Sequence, residues 1–151
     1  MLLTELLTPA RIKIPLTGVR KDDLLRELVD LLASDTAVDA DEVLQAVEER
    51  EAVLSTGIGG GIAIPHGKVG NVSSLILAAG VAPGGVDFEA LDGQPVELFF
   101  LLIGPESAAG EHVKALSRIS RLLRRETFRV RLASAASPQQ FYEILREAEA
   151  T

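Results

Sequence analysis

The chain has 151 residues, of which 47% are hydrophobic and 25% are charged, so it can bury the core of one domain. Its formal net charge of −7 argues against indiscriminate binding to nucleic acid or to an acidic membrane surface. Because the chain has no cysteine, disulfide frameworks, thiol nucleophiles and thiolate metal sites are excluded, and a reducing cytoplasm is the expected location.

Two amphipathic helices are predicted in the first third of the chain. Residues 22–34 carry apolar side chains at helical spacing: Leu24, Leu25, Leu28, Val29 and Leu32. Residues 39–51 form the second predicted helix, with Val43 and Val47 on one face. Arg50 continues that apolar face at i+7 from Val43, so we expect its side chain to point toward the protein.

The middle of the chain has the short apolar runs of β-strands. Strands are predicted at 62–65, 74–82 and 96–103, and the last of these is apolar at nearly every position. A strand that is apolar on both faces is typical of the centre of a covered sheet. The longest strongly apolar run, 98–103, is far shorter than the roughly 20 residues that cross a bilayer, so no membrane insertion is expected.

Two further helices are predicted after the central strand. Residues 111–125 have apolar side chains at helical spacing. The last helix has a clear start signal, with Ser137 as N-cap, Pro138 at the first helical position and Gln140 at the third. Helices before, between and after strands predict a single layered α/β domain over residues 1–151.

The only two histidines of the chain both follow predicted strands. His66 comes directly after the strand at 62–65, and His112 lies at the start of the helix at 111–125, beyond the central strand. In open α/β sheets, ligands collect beyond the carboxyl ends of strands. Both imidazoles are therefore expected near one site.

Each histidine has an ordinary interpretation and a chemical one. His66 is either a surface or capping histidine, or a nucleophile whose neutral imidazole attacks a phosphoryl group. His112 is either an unremarkable member of a first helical turn or a neutral hydrogen-bonding partner for an anion. A helix N-terminus favours the second role, because it disfavours imidazolium and offers unpaired N–H groups. The residues alone leave both interpretations open.

A run of glycines between Gly57 and Gly61 precedes His66. Such a run either forms a mobile surface turn or exposes successive backbone N–H groups that bind an anion. It is neither a dinucleotide-binding fingerprint nor a P-loop, because Ile62 and Val69 stand where those motifs need Gly and Ser or Thr.

Other chemistries have little support in the sequence. The chain has no H-E-x-x-H, H-x-H or G-x-S-x-G spacing, which argues against a metal site and a serine hydrolase. A basic stretch from Lys114 to Arg131 is interpreted as a solvated helix face and not as a nucleic-acid surface. The acidic helix at 39–51 is expected to steer a basic protein partner.

The stretch from Arg50 to Gly67 resembles a known family. Arg50, Glu51 and the sequence STGIGGGIAIPHG at 55–67 resemble the active-site stretch of the fructose/mannitol-type enzyme IIA domains of the bacterial phosphoenolpyruvate-dependent phosphotransferase system. The resemblance extends from the first predicted helix to the last, and the chain looks most like the nitrogen-regulatory branch. One departure is Gly60, where a polar residue is common in the family.

The resemblance implies a fold and a set of site residues. The family fold is a mixed β-sheet flanked by helices on both faces. The histidine that matches His66 accepts a phosphoryl group on Nε2 from phosphorylated HPr, and the residues that match His112 and Arg50 contact that group. Further stabilisation of the phosphate is expected from Thr56, Gly57, Gly59 and Gly67. No cofactor and no metal are implied.

Two main function hypotheses result, beside a third, a metal-dependent hydrolase, which the missing metal-binding motifs disfavour. In the first, the chain is a phosphocarrier that passes the phosphoryl group from HPr to an enzyme IIB domain, or uses it as a regulatory signal toward a transporter or kinase. Because the sequence contains no fused IIB domain and no membrane segment, the regulatory branch is favoured. In the second, the chain is a non-catalytic regulatory module that binds protein partners through the same surface.

Overall fold

The first two helices form where the amphipathic patterns predict them in the computed structural model, which describes residues 1–150. Helix α1 spans Lys21–Ser34 and helix α2 spans Ala40–Val53. The side chain of Asp39 caps α2 by accepting hydrogen bonds from the backbone N–H groups of Asp41 and Glu42. Both predictions are confirmed to within two residues at each end.

Three helices follow the sheet, one more than predicted. They are α3 (Ala109–Leu122), α4 (Glu126–Ala133) and α5 (Pro138–Glu149). The start signal of α5 is confirmed, because the Ser137 side chain accepts a hydrogen bond from the backbone N–H of Gln140.

The single helix predicted at 111–125 is wrong at its end, and α4 was not predicted. Arg129 explains the break between α3 and α4. Its Nη1 donates to the carbonyl oxygens of Leu123 at 2.9 Å and Arg124 at 3.0 Å, which lie just beyond the end of α3. The side chain thus satisfies carbonyls that the helix leaves without partners.

Six strands form one mixed sheet. Their bounds are Ile12–Lys13 (β1), Gly57–Gly59 (β2), Ile62–Ala63 (β3), His66–Lys68 (β4), Ile76–Val86 (β5) and Val96–Gly104 (β6). The strand order is β1-β5-β6-β3-β2, and β4 also pairs with β6. β6 is antiparallel to β5 but parallel to β3 and β4. The mixed sheet that the resemblance implies is confirmed.

The central strand β6 is buried on both faces, as its apolar sequence predicts. Its side chains alternate between two cores: Leu98, Phe100 and Leu102 enter one, and Phe99, Leu101 and Ile103 enter the other. The first core is completed by α3, α4 and α5, and the second by α1 and α2. Helices therefore cover both faces of the sheet, as expected.

The segment before His66 differs from the predicted strand at 62–65. β2 and β3 form a hairpin, and its turn Gly59–Gly61 has φ values of 98°, 68° and 79°, which suit glycine. Strand β3 ends at Ala63 and β4 begins at His66, although the Pro65 carbonyl oxygen between them still accepts a hydrogen bond from the Leu102 N–H at 3.0 Å. His66 is thus the first residue of β4 and does not follow a strand, which corrects the prediction.

The remaining connections include three short 3-10 turns, at Leu3–Glu5, Pro9–Arg11 and Glu106–Ala108. Among residues 1–150, no helix combines the length and the apolar character needed to cross a bilayer.

Candidate active site

His66 and His112 meet at the carboxyl end of the central strand. His66 opens β4 and pairs with Leu102 near the end of β6. His112 lies in the first turn of α3, which follows the end of β6. Their ring centroids are 5.5 Å apart and the ring planes are inclined at 60°. The two imidazoles therefore lie side by side, as expected, and their roles in a common site stay a prediction.

A single hydrogen bond fixes the tautomer of His66. Its Nδ1 lies 2.9 Å from the carbonyl oxygen of Ile64. Because a carbonyl oxygen only accepts, Nδ1 carries the proton and donates it to this bond. In the neutral ring, Nε2 is then left with a free lone pair, which is the form that a nucleophile requires.

Burial lowers the pKa of His66 below the ordinary histidine value of 6.5. The Ile64 carbonyl and the Glu51 carboxylate oppose this shift, whereas the positive charges of Arg50 and Lys68 add to it. The net effect keeps the ring neutral at pH 7.

His112 is almost completely buried, with 2% of its surface exposed. The ring lies over Gly104, where a Cβ atom would come within 3.5 Å of its Nδ1. Among the described residues neither of its ring nitrogens has a hydrogen-bond partner. Burial, the neighbouring His66 and Lys68 lower the pKa of His112 to about 4. A neutral, buried and unsatisfied imidazole is costly in a fold, so its position beside His66 indicates a ligand site.

Arg50 is brought to the same edge of the sheet by the packing of α2 on β4. Gly67 makes this packing close, because a Cβ at that position would lie 3.2 Å from atoms of Ala46 and Val47. Arg50 lies in the last turn of α2, and its Nη1 donates to the Leu54 carbonyl oxygen at 2.9 Å. Its charge acts on the pKa of His66, so the guanidinium is within electrostatic reach of that ring.

The donors predicted at Thr56 and Gly57 already have partners. The backbone N–H and the hydroxyl of Thr56 both donate to the Glu51 carboxylate, at 2.9 and 2.5 Å. The N–H of Gly57 donates to the hydroxyl oxygen of Ser55 at 3.1 Å. Gly67 is buried beneath α2. Contact between these residues and a phosphoryl group stays a prediction.

The structure does not bring Gly59 to His66. Gly59 pairs with Ile62, which is opposite Leu98, whereas His66 is opposite Leu102. The hairpin turn is therefore about 13 Å away along β6, at roughly 3.3 Å per residue. The anion-binding loop expected from the glycine run lies apart from the two histidines.

Glu51 is a site residue to which the sequence analysis gave no role. Its buried carboxylate accepts two hydrogen bonds from Thr56 and pairs with Lys21 Nζ at 2.9 Å. It thereby joins the end of α2 to the start of the hairpin and to α1. A signal was present, because Glu51 is at i+4 from Val47 and i+8 from Val43 and so belongs to the buried face.

The site combines a nucleophilic imidazole nitrogen, a second buried imidazole and a guanidinium cation. Such a set can form a bond to a phosphoryl group and neutralise the charge on its oxygens. Within residues 1–150, no cluster of three or more His, Cys, Asp or Glu side chains is placed to hold a metal ion.

Curated proteins similar to this chain come from two functional groups. It is 40% identical over 148 residues to a protein of Bacillus subtilis named PTS system fructose-specific EIIABC component, covering 97% of this chain but only 23% of that protein. It is 36% identical over 151 residues to the nitrogen regulatory protein of Bradyrhizobium diazoefficiens, covering 100% of this chain and 99% of the other.

A solved structure agrees with these relatives. The nitrogen regulatory protein IIA-Ntr from Neisseria meningitidis superposes with a TM-score of 0.89 at 32% identity, covering 95% of this chain and 98% of that one. The family model described as phosphoenolpyruvate-dependent sugar phosphotransferase system, EIIA 2, matches residues 5–148. The chain therefore belongs to the EIIA 2 family of the phosphoenolpyruvate-dependent sugar phosphotransferase system.

Proposed function

We propose that this chain is a cytoplasmic phosphocarrier that receives a phosphoryl group from phosphorylated HPr on Nε2 of His66. The observation that carries the proposal is the hydrogen bond from Nδ1 of His66 to the Ile64 carbonyl, because it leaves Nε2 as the nucleophile. The buried and unpartnered nitrogens of His112 lie beside this ring and suit an anionic ligand.

The transfer step needs little beyond positioning. The lone pair of Nε2 forms the new N–P bond while the N–P bond of the donor histidine breaks, and its electron pair stays on the donor ring. No proton has to leave Nε2, because the single ring proton of neutral His66 is on Nδ1. The Ile64 carbonyl then stabilises the positive charge that develops on the phosphorylated ring.

The charge on the phosphoryl oxygens is balanced by two neighbours of His66. Arg50 supplies a permanent cation from the end of α2. His112, with a pKa of about 4, is neutral at pH 7 and contributes as a hydrogen-bond donor, not as a cation. This step requires neither a metal nor another cofactor.

The phosphoryl group then has two possible uses. It is passed to an enzyme IIB domain, as the name EIIABC of the fructose-specific relative suggests, or it regulates binding to a transporter or kinase. The relatives support both uses, because the chain is 40% identical to the fructose-specific protein and 36% identical to the nitrogen regulatory one.

The test is incubation with phosphoenolpyruvate, enzyme I and HPr, followed by intact mass spectrometry. We expect a gain of one phosphoryl group in the wild type and no gain in the His66→Ala variant. The His112→Ala variant should still be phosphorylated but pass the group on more slowly, because it retains the nucleophile and loses only a neighbour of the phosphate. Circular dichroism of the three proteins serves as the folding control.

The alternative is a regulatory module that binds proteins without any transfer. It is supported if the folded wild type gains no phosphoryl group while HPr in the same tube becomes phosphorylated. If His112→Ala rather than His66→Ala abolishes labelling, the two roles are reversed.

A further inference from the structure

An open depression of about 850 Å³ lies between the start of α1, the end of α2 and the loop after β5. Three aliphatic side chains from these segments line it and are each more than half exposed: Val19, Leu54 and Leu91. Single exposed apolar side chains are ordinary, but three that converge on one concave surface are typical of a site that a partner covers. We call this surface the Leu91 groove.

Carboxylates dominate the charged rim of the Leu91 groove. Five acidic side chains line it: Asp22, Glu48, Glu51, Asp87 and Glu89. The two cations of the rim pair with three of these carboxylates, since Arg20 is 3.3 Å from Asp22 and Lys21 is 2.9 Å from Glu51 and 3.7 Å from Glu89. The rim therefore keeps an excess of negative charge. The groove thus offers aliphatic contact inside a negative rim, which is complementary to an aliphatic side chain flanked by lysine or arginine.

The wall that carries Leu91 is preformed. The Leu91 N–H donates to the Gly57 carbonyl oxygen at 2.8 Å, which ties the wall to β2. Glu89 has a φ of 56°, a left-handed conformation that is unusual without glycine, and its N–H donates to the Asp87 carboxylate at 3.0 Å. A strained but well-bonded wall requires little ordering when a ligand binds.

Arg50 connects the groove to His66. Its Nη1 donates to the Leu54 carbonyl oxygen at 2.9 Å and so positions the residue that forms one lip of the groove. The same guanidinium ends the helix that packs on β4, where His66 begins the strand. A phosphoryl group on His66 would add roughly two negative charges and compete for this guanidinium.

We propose that the Leu91 groove docks a partner-protein segment with an aliphatic side chain flanked by lysine or arginine, and that phosphorylation of His66 weakens this docking by drawing Arg50 away from Leu54. The docking depends on the groove alone. The control by phosphorylation rests on the proposed function of His66.

The docking is tested by NMR titration of the unphosphorylated full chain with a short synthetic peptide that has one leucine between lysines. We expect shifts of the Val19, Leu54 and Leu91 methyl signals and a dissociation constant below about 1 mM. Matched peptides with glutamate for lysine, or with serine for leucine, should bind at least several-fold more weakly. If the groove methyls do not shift, or the acidic peptide binds equally well, the docking proposal is overturned.

A pair of variants distinguishes binding in the groove from nonspecific binding to exposed apolar side chains. Leu91 and Val130 are both 59% exposed, but Val130 lies on α4 and outside the groove. Leu91→Ser should weaken binding of the basic peptide about tenfold, because one buried aliphatic contact is lost. Val130→Ser should leave the affinity unchanged. Equal effects of the two substitutions would overturn the assignment.

The coupling to His66 is tested with protein whose phosphorylation has been verified by mass. The phosphorylated chain should bind the basic peptide several-fold more weakly, and so should unphosphorylated Arg50→Ala. Equal affinity before and after complete phosphorylation overturns the coupling but not the docking. If no phosphoryl group is gained, the proposed function and the coupling both fall, while the titration of the unphosphorylated chain still decides the docking.

Discussion

His66 and His112 are the same side chain in two environments, and the environments separate their roles. The Ile64 carbonyl accepts a hydrogen bond from His66 and stabilises positive charge on that ring. His112 is buried without such an acceptor among the described residues, so its ring is held neutral. One imidazole is thus suited to carry a phosphoryl group, and the other to donate a hydrogen bond to it.

The burial of His112 makes the stability of the fold depend on pH. Its pKa is about 4 in the folded chain and 6.5 ordinarily, so the unfolded chain binds the proton first as the pH falls. Its contribution to stability is complete above pH 6.5 and is lost progressively between pH 6.5 and 4. From pH 7 to pH 5, this amounts to about 2 kcal/mol.

We therefore expect the wild type to lose about 2 kcal/mol more than His112→Leu between pH 7 and pH 5, as measured by urea denaturation. His66, whose pKa is also lowered, is present in both proteins, and hydrogen bonds hold the pKa values of Glu27 and Glu149 below 4.5, outside this range. An equal loss in the two proteins would show that the folded chain protonates His112 as readily as the unfolded chain.

At the residue scale, the sequence points to those side chains whose chemistry is unusual in their local pattern. His66 and His112 stand out as the only two histidines of the chain, and Arg50 stands out because it ends an apolar helix face. The partners of Thr56 and Gly57 are not visible in this way, since a backbone N–H has no sequence signature. Only the fold shows that Glu51 and Ser55 already engage them.

At the scale of elements, the contact of α2 with β4 positions Arg50 relative to His66. Gly67→Ala tests it, because the added Cβ would lie 3.2 Å from Ala46 and Val47 and push the helix outward. We expect a loss of about 1–3 kcal/mol in urea denaturation, although alanine is otherwise the better strand residue. Phosphorylation by HPr should also slow, since the guanidinium moves with the helix.

Gly70→Ala is the matched control for this substitution. A Cβ at Gly70 meets no atom within 4 Å, and the residue is exposed. Its effect should stay within about 0.5 kcal/mol. If Gly67→Ala is as stable as Gly70→Ala, the close contact of α2 with β4 does not require a glycine at position 67.

Helices whose apolar positions repeat over several turns, or that begin at a capping residue, are predictable from the sequence. The short strands are not. α1, α2 and α5 repeat their apolar positions over several turns, and Asp39 and Ser137 mark two of the starts. β2, β3 and β4 have two or three residues each, too few to show a period. The break before α4 depends on Arg129, and no glycine or proline announces it.

Over the whole molecule, the strand order and the joining of the chain ends depend on contacts between distant segments. β1, near the start of the chain, is parallel to β5, and no local pattern encodes this pairing. The basic stretch from Lys114 to Arg131 is largely exposed to solvent, as expected, and two of its arginines also reach α5. Arg118 pairs with Glu149 at 2.7 Å, and Arg131 pairs with Glu147 at 2.8 Å.

Glu149 is the strongest of these long-range links, and Glu149→Gln should destabilise the fold by about 2–4 kcal/mol at pH 7. Its carboxylate is 1% exposed and accepts from the N–H groups of Leu3 and Thr4 as well as from Arg118. Glu147→Gln is the matched control and should cost less than about 1 kcal/mol, since that pair is exposed to solvent.

Hydrogen bonds lower the pKa of Glu149 below 4.5, so its contribution is complete above pH 4.5 and is lost as the pH falls through the lowered value. In urea denaturation from pH 7 to pH 3, the free energy of unfolding of the wild type should therefore approach that of Glu149→Gln. A difference that stays constant with pH would contradict a stabilising role of the ionised Glu149 carboxylate.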